Sequence, residues 1–410
     1  MSTNRPGKAA KKAAPKVPAA ALPDGFPAGP WLRNFRRRLM AWYGTNARQL
    51  PWRQTRDPYR VWISEIMLQQ TQVATVIPYF QRFVETLPTV EHLAAVDEQQ
   101  VLRLWEGLGY YRRARQLHAA AKTIVAEHAG QFPSDQTAIA KLPGIGRYTA
   151  AAIASIAFGA RAAILEANTR RLYARLLAHR GELESSAAQA RLWSFAEHLL
   201  PKQDCGTFNQ ALMELGATIC QPRSPQCEAC PVAELCPTFA LGLQDEIPRA
   251  ARKVKVEDVR EAAVIVRSPA GQVLVLRYEP GQRWAGLWDF VRFPLPESRA
   301  LEAAYDASHA ADAAVDGLPT FLANEVQRRT GYRVAVEPRA IAQIKHPVTR
   351  YRITLKAFVA ELTGPPDGKQ KSTTAVEATQ NESTWVDVAQ LHHLPLSATG
   401  RKLAKLVEKL

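Results

Sequence analysis

Apolar side chains recur every three or four positions over residues 31–240. Proline-containing turns such as Leu87-Pro88-Thr89 separate the runs that show this spacing. The apolar positions of two such runs are Ile77, Phe80, Phe83 and Val84, then Val101, Leu102, Trp105 and Leu108. Because this period matches one buried face of an amphipathic helix, the sequence predicts a helical domain here.

The period changes to two after a charged connector at residues 244–258. Residues 262–267 and 273–278 are β-rich runs, and the turn residues Ser268-Pro269-Ala270-Gly271 that join them are typical of a hairpin. Further strands are predicted at 333–336 and 352–359, with a helix at 322–329 and a long polar loop at 364–382. This mixture indicates a separate α+β domain.

These patterns set the predicted domain limits. Residues 1–28 are Ala, Lys and Pro with few bulky apolar side chains, so we expect a disordered basic tail. A helical domain at 29–240, a linker at 241–258 and the α+β domain at 259–410 follow.

The chain of 410 residues carries 53 Lys and Arg against 38 Asp and Glu, a formal net charge of +15. Arginines crowd residues 33–60, and Arg112, Arg113 and Arg115 follow two tyrosines. This excess favours a polyanionic partner, since neutralising phosphates releases counterions, although an ordinary basic protein would also show it. The longest apolar run is too short to span a membrane and the N-terminus lacks the apolar core of a secretory signal, so we expect a cytoplasmic, nucleoid-associated protein.

Four cysteines, Cys220, Cys227, Cys230 and Cys236, follow the spacing C-x6-C-x2-C-x5-C after a predicted helix that ends near Ala217. Four closely spaced thiols without a secretion signal favour a metal site over disulfides. Zinc is one candidate metal, although the spacing of these cysteines differs from the paired C-x2-C knuckles typical of zinc sites. Cys205 stands apart and is expected to be a packed thiol.

The run Leu142-Pro143-Gly144-Ile145-Gly146 lies between two helical stretches. Its glycines permit a tight turn whose backbone N–H groups, with the following helix N-terminus, can hold a phosphate. An ordinary packing corner between two helices has the same composition. This run alone therefore does not distinguish a phosphate-binding turn from a packing corner.

Glu65 is flanked by Trp62, Ile63, Ile66 and Met67. Burial beside apolar side chains disfavours the charged form, which can keep a carboxyl protonated near neutral pH as a general acid requires. The alternative is a glutamate that caps or decorates a surface helix.

Several motifs together resemble the MutY-type adenine DNA glycosylases of the endonuclease III superfamily. The resemblance runs from about residue 31 to 237 and continues more weakly to the C-terminus. It rests on Glu65 with Leu68-Gln69-Gln70-Thr71, on Leu108-Gly109-Tyr110-Tyr111, on Phe208-Asn209-Gln210-Ala211-Leu212-Met213-Glu214-Leu215-Gly216, on the hairpin and on the cysteine spacing. It implies a mainly α, two-lobed helix-hairpin-helix core with one [4Fe–4S] cluster on the four cysteines, followed by an α+β Nudix-like domain.

The resemblance also implies roles for single residues. Glu65 would protonate adenine at N7, and Tyr148, where lyase-active relatives place a lysine, would leave the enzyme without a strong amine nucleophile. Arg53 and Gln210 would contact the flipped adenine, Gln70 and Tyr110 would wedge into the duplex, and Leu142, Gly144 and Gly146 would grip the backbone without reading bases.

One departure concerns the second catalytic carboxylate. The family has an aspartate in a D-G-N segment, whereas here Glu166-Ala167-Asn168 occupies that place. The additional methylene changes the approach to the sugar, but the charge that stabilises an oxocarbenium ion is preserved. We hypothesise that Glu166, helped by Tyr148 and Asn168, is catalytic.

A second departure lies in the C-terminal domain. Trp284-Ala285-Gly286-Leu287-Trp288-Asp289-Phe290 resembles the W-x-G-L-W-E-F segment of the family's Nudix-like domain. Its F-S-H or F-T-H loop, which checks for 8-oxoguanine, reads Val348-Thr349-Arg350 here, so only Thr349 matches. The segment Glu325–Gly331 lacks the glutamate cluster of a Nudix hydrolase, so pyrophosphate hydrolysis is not expected.

The expected function is removal of adenine mispaired with 8-oxoguanine or guanine in double-stranded DNA by a monomeric enzyme. Two rivals remain open. An endonuclease III-like glycosylase/lyase is disfavoured by Tyr148 and by the C-terminal domain. A non-catalytic DNA-binding homologue is disfavoured by the presence of Glu65, Tyr148 and Asn168 together.

Overall fold

The helices of the N-terminal part follow the apolar spacing of the sequence. The computed structural model describes residues 25–250, 256–308, 317–364 and 382–409. In the first of these ranges the helices are α1 (Pro30–Asn46), α2 (Pro58–Leu68), α3 (Val73–Thr86), α4 (Val90–Ala95), α5 (Glu98–Leu104), α6 (Arg112–His128), α7 (Gln136–Lys141), α8 (Arg147–Phe158), α9 (Ala167–Leu176), α10 (Ser186–Leu199), α11 (Cys205–Thr218) and α12 (Pro237–Ala240).

Strands dominate the part of the chain after residue 256. They are β1 (Glu257–Arg267), β2 (Val273–Arg277), β3 (Trp288–Asp289), β4 (Val291–Pro294), β5 (Arg333–Val336), β6 (Ala342–Val348), β7 (Tyr351–Gly364) and β8 (Ser383–Val386). The helices α13 (Arg299–Ala307), α14 (Leu318–Thr330) and α15 (Ala398–Val407) accompany them. The predicted fold class, mainly helical and then α+β, is confirmed.

The chain divides into two compact units. The first contains the described residues of 25–85, 89–91 and 120–250, and the second contains 86–88, 92–119 and the described residues from 256 onward. Helix α5 and the first turns of α6 therefore belong to the same unit as the C-terminal strands. The predicted limits at residues 28, 240 and 258 stay a prediction.

The core of the first unit is built around α8, α9 and α11. Helix α8 is apolar on all sides, and every residue from Thr149 to Ile156 is buried, which is the pattern of a central helix. Phe35, Phe195 and Phe208 are fully buried in the adjoining cluster. Phe26, which the prediction places in the tail, packs on Phe195 with ring centroids 5.3 Å apart.

The second unit holds a mixed sheet in which the described strands run in the order β3-β2-β1-β7-β5, while β4, β6 and β8 pair with β1, β7 and β2. Strands β1 and β7 are parallel in register from Glu257↔Tyr351 to Arg267↔Glu361. Alternation along β1 places Val264 in a core with α13 and α14, and Ile265 in a core with α15. Because both faces are covered, the β1 sequence is apolar throughout its centre.

Most local predictions in this unit are confirmed. Strand β5 has the predicted limits, and β1 and β2 form the predicted hairpin with Arg267 opposite Val273. The predicted helix at 322–329 lies within α14, whereas β6 and α15 were not predicted. Most of the predicted tail, and nearly all of the predicted loop at 364–382, fall outside the described residues. None of the described helices has the length and apolarity needed to cross a membrane.

Gly206 allows α8 and α11 to approach each other. A Cβ at this position would lie 2.8 Å from the Ile156 Cα and closer still to the Ser155 carbonyl oxygen. We expect Gly206→Ala to lower the free energy of unfolding by about 1–3 kcal/mol, because backbone must move to admit the methyl group. Chemical denaturation followed by circular dichroism measures this change.

Gly44 provides the matched control. It is exposed in α1, and a Cβ there would meet no atom within 4 Å. Gly44→Ala should therefore raise the free energy of unfolding by up to about 1 kcal/mol through helix propensity. Equal effects of the two substitutions would contradict the close approach of α8 and α11.

Candidate active site

A cavity of about 960 Å³ lies within the first unit. Residues from α2, from the start of α8, from the segment before α9 and from α11 line it. Eight residues predicted from the sequence are among them: Arg53, Glu65, Gln70, Gly146, Tyr148, Glu166, Asn168 and Gln210. The structure thus brings together side chains that are up to 157 positions apart in sequence (Gln210 and Arg53).

Glu65 is held on α2, which begins where Asp57 accepts a hydrogen bond from the Tyr59 N–H at 3.0 Å. The side chain is buried, and the Tyr148 hydroxyl donates to Glu65 Oε2 at 2.5 Å. Burial raises the pKa of Glu65 to about 7, the bond from Tyr148 opposes this rise, and the charge of Glu166 adds to it. Glu65 can therefore carry a proton near neutral pH.

Glu166 caps helix α9. Its two carboxylate oxygens accept hydrogen bonds from the N–H groups of Asn168 and Thr169, both at 2.8 Å, and the Thr169 hydroxyl accepts from the Glu166 N–H in return. Burial raises the pKa of Glu166 above its ordinary value, although these backbone bonds and the charge of Arg171 oppose the rise. The longer side chain thus folds back onto the helix N-terminus, where a negative charge is favoured.

Arg171 fixes Asn168, the third member of this group. Its Nη2 donates to Asn168 Oδ1 at 2.9 Å and to the Gly216 carbonyl at 2.7 Å, and its Nε donates to the Cys220 carbonyl at 2.8 Å. One guanidinium therefore joins the cavity, the end of α11 and the first cysteine of the motif.

An ion-pair network that the sequence analysis missed forms another part of the lining. Glu214 is fully buried and accepts from Arg48 at 2.6 and 2.9 Å and from Arg53 at 2.8 Å. Burial would raise the pKa of Glu214, but the two arginines lower it below its ordinary value. The sequence carried one signal for this network. Gln210 and Glu214 lie four positions apart, so they share one face of a helix.

Gln210 also has a defined partner. Its Oε1 accepts a hydrogen bond from the Tyr43 hydroxyl at 3.1 Å. With the carbonyl oxygen engaged in this way, the amide NH₂ is the group left to donate.

The predicted hairpin forms a turn between α7 and α8. The Ile145 N–H bonds the Leu142 carbonyl at 3.1 Å, Gly144 adopts φ +74°, and Gly146 precedes the first residue of α8. A left-handed residue at this point explains why glycine occupies position 144. The backbone has the form of a helix-hairpin-helix turn, and its phosphate contact stays a prediction.

Three predicted DNA-contacting residues have strained backbones. Gln70 in the first unit, and Tyr110 and Thr349 in the second, adopt φ of 56°, 49° and 51°. Tyr110 is 52% exposed, and Arg113 lies over its ring at 5.6 Å. Exposed non-glycine residues in this conformation are frequent at functional positions.

The cysteines of the motif lie in one short segment after α11. Two 3-10 turns, Cys227–Ala229 and Ala233–Leu235, shape this segment, and Arg175 Nη1 donates to Cys220 Sγ at 3.2 Å. Among the described residues no three Cys, His, Asp or Glu side chains stand close enough to hold a metal ion. The donor set nevertheless fits an iron–sulfur group, which takes thiolate ligands and N–H donors to sulfur. Cys205 lies apart from this segment, buried in the helical core.

Family models and known proteins match both parts of the chain. Residues 63–198 match the HhH-GPD superfamily base excision DNA repair protein model, residues 220–236 the iron-sulfur binding domain of endonuclease III, and residues 262–406 the NUDIX domain. A thermostable thymine-DNA glycosylase structure is 32% identical and covers 51% of this chain and 96% of its own, with a TM-score of 0.46.

Curated relatives decide the family. The adenine DNA glycosylase of Homo sapiens is 30% identical over 91% of this chain and 74% of its own length. That of Mus musculus is 33% identical over 81% and 71%. The chain belongs to the adenine DNA glycosylase family.

Membership of the adenine DNA glycosylase family confirms the predicted class of enzyme, a base excision repair glycosylase that acts on DNA. It also confirms the helix-hairpin-helix core, the Nudix-like domain and an iron–sulfur binding segment at residues 220–236. The roles of single residues, the type of cluster and the mispair stay predictions.

The Tyr148–Glu65 hydrogen bond opposes the rise that burial causes in the pKa of Glu65. We expect the pKa of Glu65 to rise above about 7 in Tyr148→Phe, because the lost bond stabilises the carboxylate and leaves only the charge of Arg53 to oppose burial. Titration of ¹³C-labelled glutamate carboxyls by NMR measures this, with Glu65→Gln assigning the signal. An unchanged pKa would show that the hydroxyl does not stabilise the charge.

The same pKa fixes how stability depends on pH. Between the ordinary value of 4.5 and about 7 the folded chain retains a proton on Glu65 that the unfolded chain releases. The contribution of Glu65 to the free energy of unfolding therefore decreases as the pH rises through this window. In Tyr148→Phe the window should extend to higher pH.

Proposed function

We propose that this enzyme removes adenine mispaired with 8-oxoguanine or guanine in double-stranded DNA. The observation that carries the proposal is the pairing in one cavity of a carboxyl that retains its proton with a carboxylate held by backbone N–H groups. Glu65 and Glu166 are these two groups, and their different surroundings divide the acid and anion roles between them.

In the proposed reaction Glu65 donates its proton to N7 of the flipped adenine. The bond between N9 and the sugar C1′ then breaks, and its electron pair remains with the base. The Glu166 carboxylate stabilises the resulting oxocarbenium ion, with Tyr148 and Asn168 holding the two acids in place. Water adds to C1′ and loses a proton, which restores Glu65 as the acid.

The length of Glu166 is compatible with this role. Two 2.8 Å bonds to the start of α9 hold its carboxylate in the lining of the cavity. Its charge is thus positioned by the helix rather than by a free side chain. Because Tyr148 is a phenol, the site offers no amine there for a covalent lyase step.

Adenine recognition is assigned to Arg53 and Gln210. Tyr43 occupies the carbonyl of Gln210, which leaves its NH₂ to donate to a ring nitrogen of the base. Arg53, anchored by Glu214, contributes further N–H donors. Gln70 and Tyr110 would fill the space that the flipped base leaves, and Leu142, Gly144 and Gly146 would hold the phosphate backbone.

Cys220, Cys227, Cys230 and Cys236 would hold one [4Fe–4S] cluster. When bound, the cluster supplies a cross-link that keeps the segment at 220–236 in shape, and it takes no direct part in bond breaking. Arg175 would donate to the Cys220 sulfur, as it does to the thiol here.

The C-terminal domain would contact the base opposite adenine through the β6–β7 hairpin. Thr349 is exposed at its turn, and Arg350 donates to the Tyr351 hydroxyl at 2.9 Å and pairs with Glu257 at 3.4 Å. Arg350 is therefore a cation held by these two contacts, at the position where the family has histidine. We propose that the enzyme works as a monomer.

Single-turnover strand scission after alkali tests the proposal on duplexes with adenine opposite 8-oxoguanine, guanine or thymine. We expect cleavage opposite the first two only, and a rate that falls as the pH rises through about 7, where Glu65 loses its proton. Glu166→Gln should lower the rate at least about 100-fold, since the amide keeps the size but not the charge. Glu166→Asp, which keeps the charge and a helix cap, is the matched control.

Other outcomes would overturn specific parts of the proposal. Undiminished excision by Glu166→Gln would remove this residue from catalysis. Trapping of the chain on DNA by borohydride would indicate a glycosylase/lyase. Tight binding without cleavage would indicate a non-catalytic DNA-binding homologue.

A further inference from the structure

Helix α5 and the residues after it contact the C-terminal domain inside the second unit. The Gln99 side-chain amide lies between two groups of that domain: the Trp288 indole N–H donates to Gln99 Oε1 at 2.9 Å, and Gln99 Nε2 donates to the Gly286 carbonyl at 3.0 Å. Both ends of the amide are thus satisfied in one orientation. Arg103 adds a bond from its Nε to the His392 carbonyl at 2.9 Å.

A bidentate ion pair also joins the residues after α5 to the C-terminal domain. Arg401 of α15 donates to the two carboxylate oxygens of Glu106 at 2.7 and 2.9 Å, and both side chains are largely buried. Arg401 also donates to the carbonyls of Leu391 and Leu394 at 2.9 and 2.6 Å. Arg103 also pairs with Glu106, at 3.3 Å, so loss of Arg401 would weaken the compensation of this carboxylate, and loss of Glu106 would leave the Arg401 charge without its carboxylate. We call the surface formed by Gln99, Arg103, Glu106 and Arg401 the docking surface.

The docking surface adjoins the loop that carries Tyr110. Inside this loop the Trp105 indole donates to the Gly109 carbonyl at 3.1 Å, and Arg113 Nη2 donates to the same carbonyl at 3.2 Å. Glu106 anchors the loop on one side, and on the other Arg115 donates to the Ala285 carbonyl. The exposed, strained Tyr110 is therefore held between two attachments to the C-terminal domain.

One hydrophobic core of the C-terminal domain supports both the docking surface and the β6–β7 hairpin. Val348 and Tyr351 pack on the cluster that contains Trp288, whose indole bonds Gln99 of the docking surface. Leu403 and Ala404, on the helix that presents Arg401, belong to that cluster as well. A displacement of the hairpin must therefore be accommodated by the side chains that support the docking surface.

We propose that the docking surface couples the β6–β7 hairpin to the Tyr110 loop, so that Arg401 and Gln99 are positioning residues that make duplex opening depend on the base opposite adenine. This inference rests on the proposed function, because it assigns base reading to the hairpin and wedging to Tyr110. Packed side chains and buried ion pairs can transmit such coupling, whose usual size is about 5- to 150-fold.

Two variants test the coupling in the full-length protein. Arg401→Met and, as a milder change, Gln99→Leu should each lower the ratio of single-turnover rates opposite 8-oxoguanine and guanine, about tenfold for Arg401→Met. The rate opposite guanine should stay within about twofold. Lys405→Met removes an exposed cation from the same helix and should leave the ratio unchanged.

Hydrogen exchange gives a readout that is independent of turnover. Duplexes with 2′-fluoro-2′-deoxyadenosine, whose fluorine slows bond cleavage, hold the complex intact. The Leu108 and Arg113 amides, bonded to the Trp105 and Tyr110 carbonyls, report on the loop. Their exchange should slow more opposite 8-oxoguanine than opposite guanine, and this difference should be lost in Arg401→Met.

The outcomes separate the coupling from the proposed function. An unchanged rate ratio and exchange difference in Arg401→Met and Gln99→Leu would overturn the coupling. A wild-type chain that excises adenine equally opposite both bases, without an exchange difference, would overturn the coupling but leave the glycosylase function standing. A chain that excises no adenine yet shows the exchange difference would overturn the function and support the coupling.

Discussion

The first two turns of α9 connect the candidate catalytic carboxylate to the cysteine segment. Glu166 closes the helix N-terminus, and one turn later the Arg171 guanidinium reaches Asn168, Gly216 and Cys220. Gly216 leaves no room for a larger residue, since a Cβ there would lie 2.8 Å from the Asn168 Cβ. The position of the cavity lining therefore depends on how the chain after α11 is held, and Arg175 holds it through Cys220 and Gln221.

The two glutamates of the cavity have the same side chain, and their different surroundings determine which of them retains a proton. Glu65 has one hydrogen-bond donor and an apolar helix around it, so its neutral form is favoured. Glu166 is also buried, but two backbone N–H groups at a helix N-terminus compensate its charge. The charge of Glu166 raises the pKa of Glu65, so an ionised Glu166 favours a protonated Glu65. An acid and an anion can thus coexist a short distance apart near neutral pH.

Local features of this structure could be predicted from the sequence, and non-local ones could not. The β1–β2 hairpin, β5 and the end of α11 follow from short-range patterns of apolar and turn residues. The ion pair between Arg48 and Glu214 joins positions 166 apart, and the parallel pairing of β1 with β7 spans most of the C-terminal domain. No residue pattern encodes such partners, because burial creates them. Strand β6 was not predicted because it contains Pro347, and proline within a run argues against a strand except at a sheet edge.

The C-terminal domain matches the NUDIX domain model, and the carboxylate on its helix α14 is already neutralised. Glu325 of α14 accepts from Arg328 at 2.7 and 3.0 Å and pairs with Arg329 at 3.2 Å, and these bonds lower its pKa. A carboxylate neutralised by two arginines on its own helix has little charge left for a divalent cation. The β6–β7 hairpin and the side chains that support the docking surface share one core in this domain. This domain therefore offers contact surfaces that one core supports, whereas its α14 carboxylate is engaged by arginines.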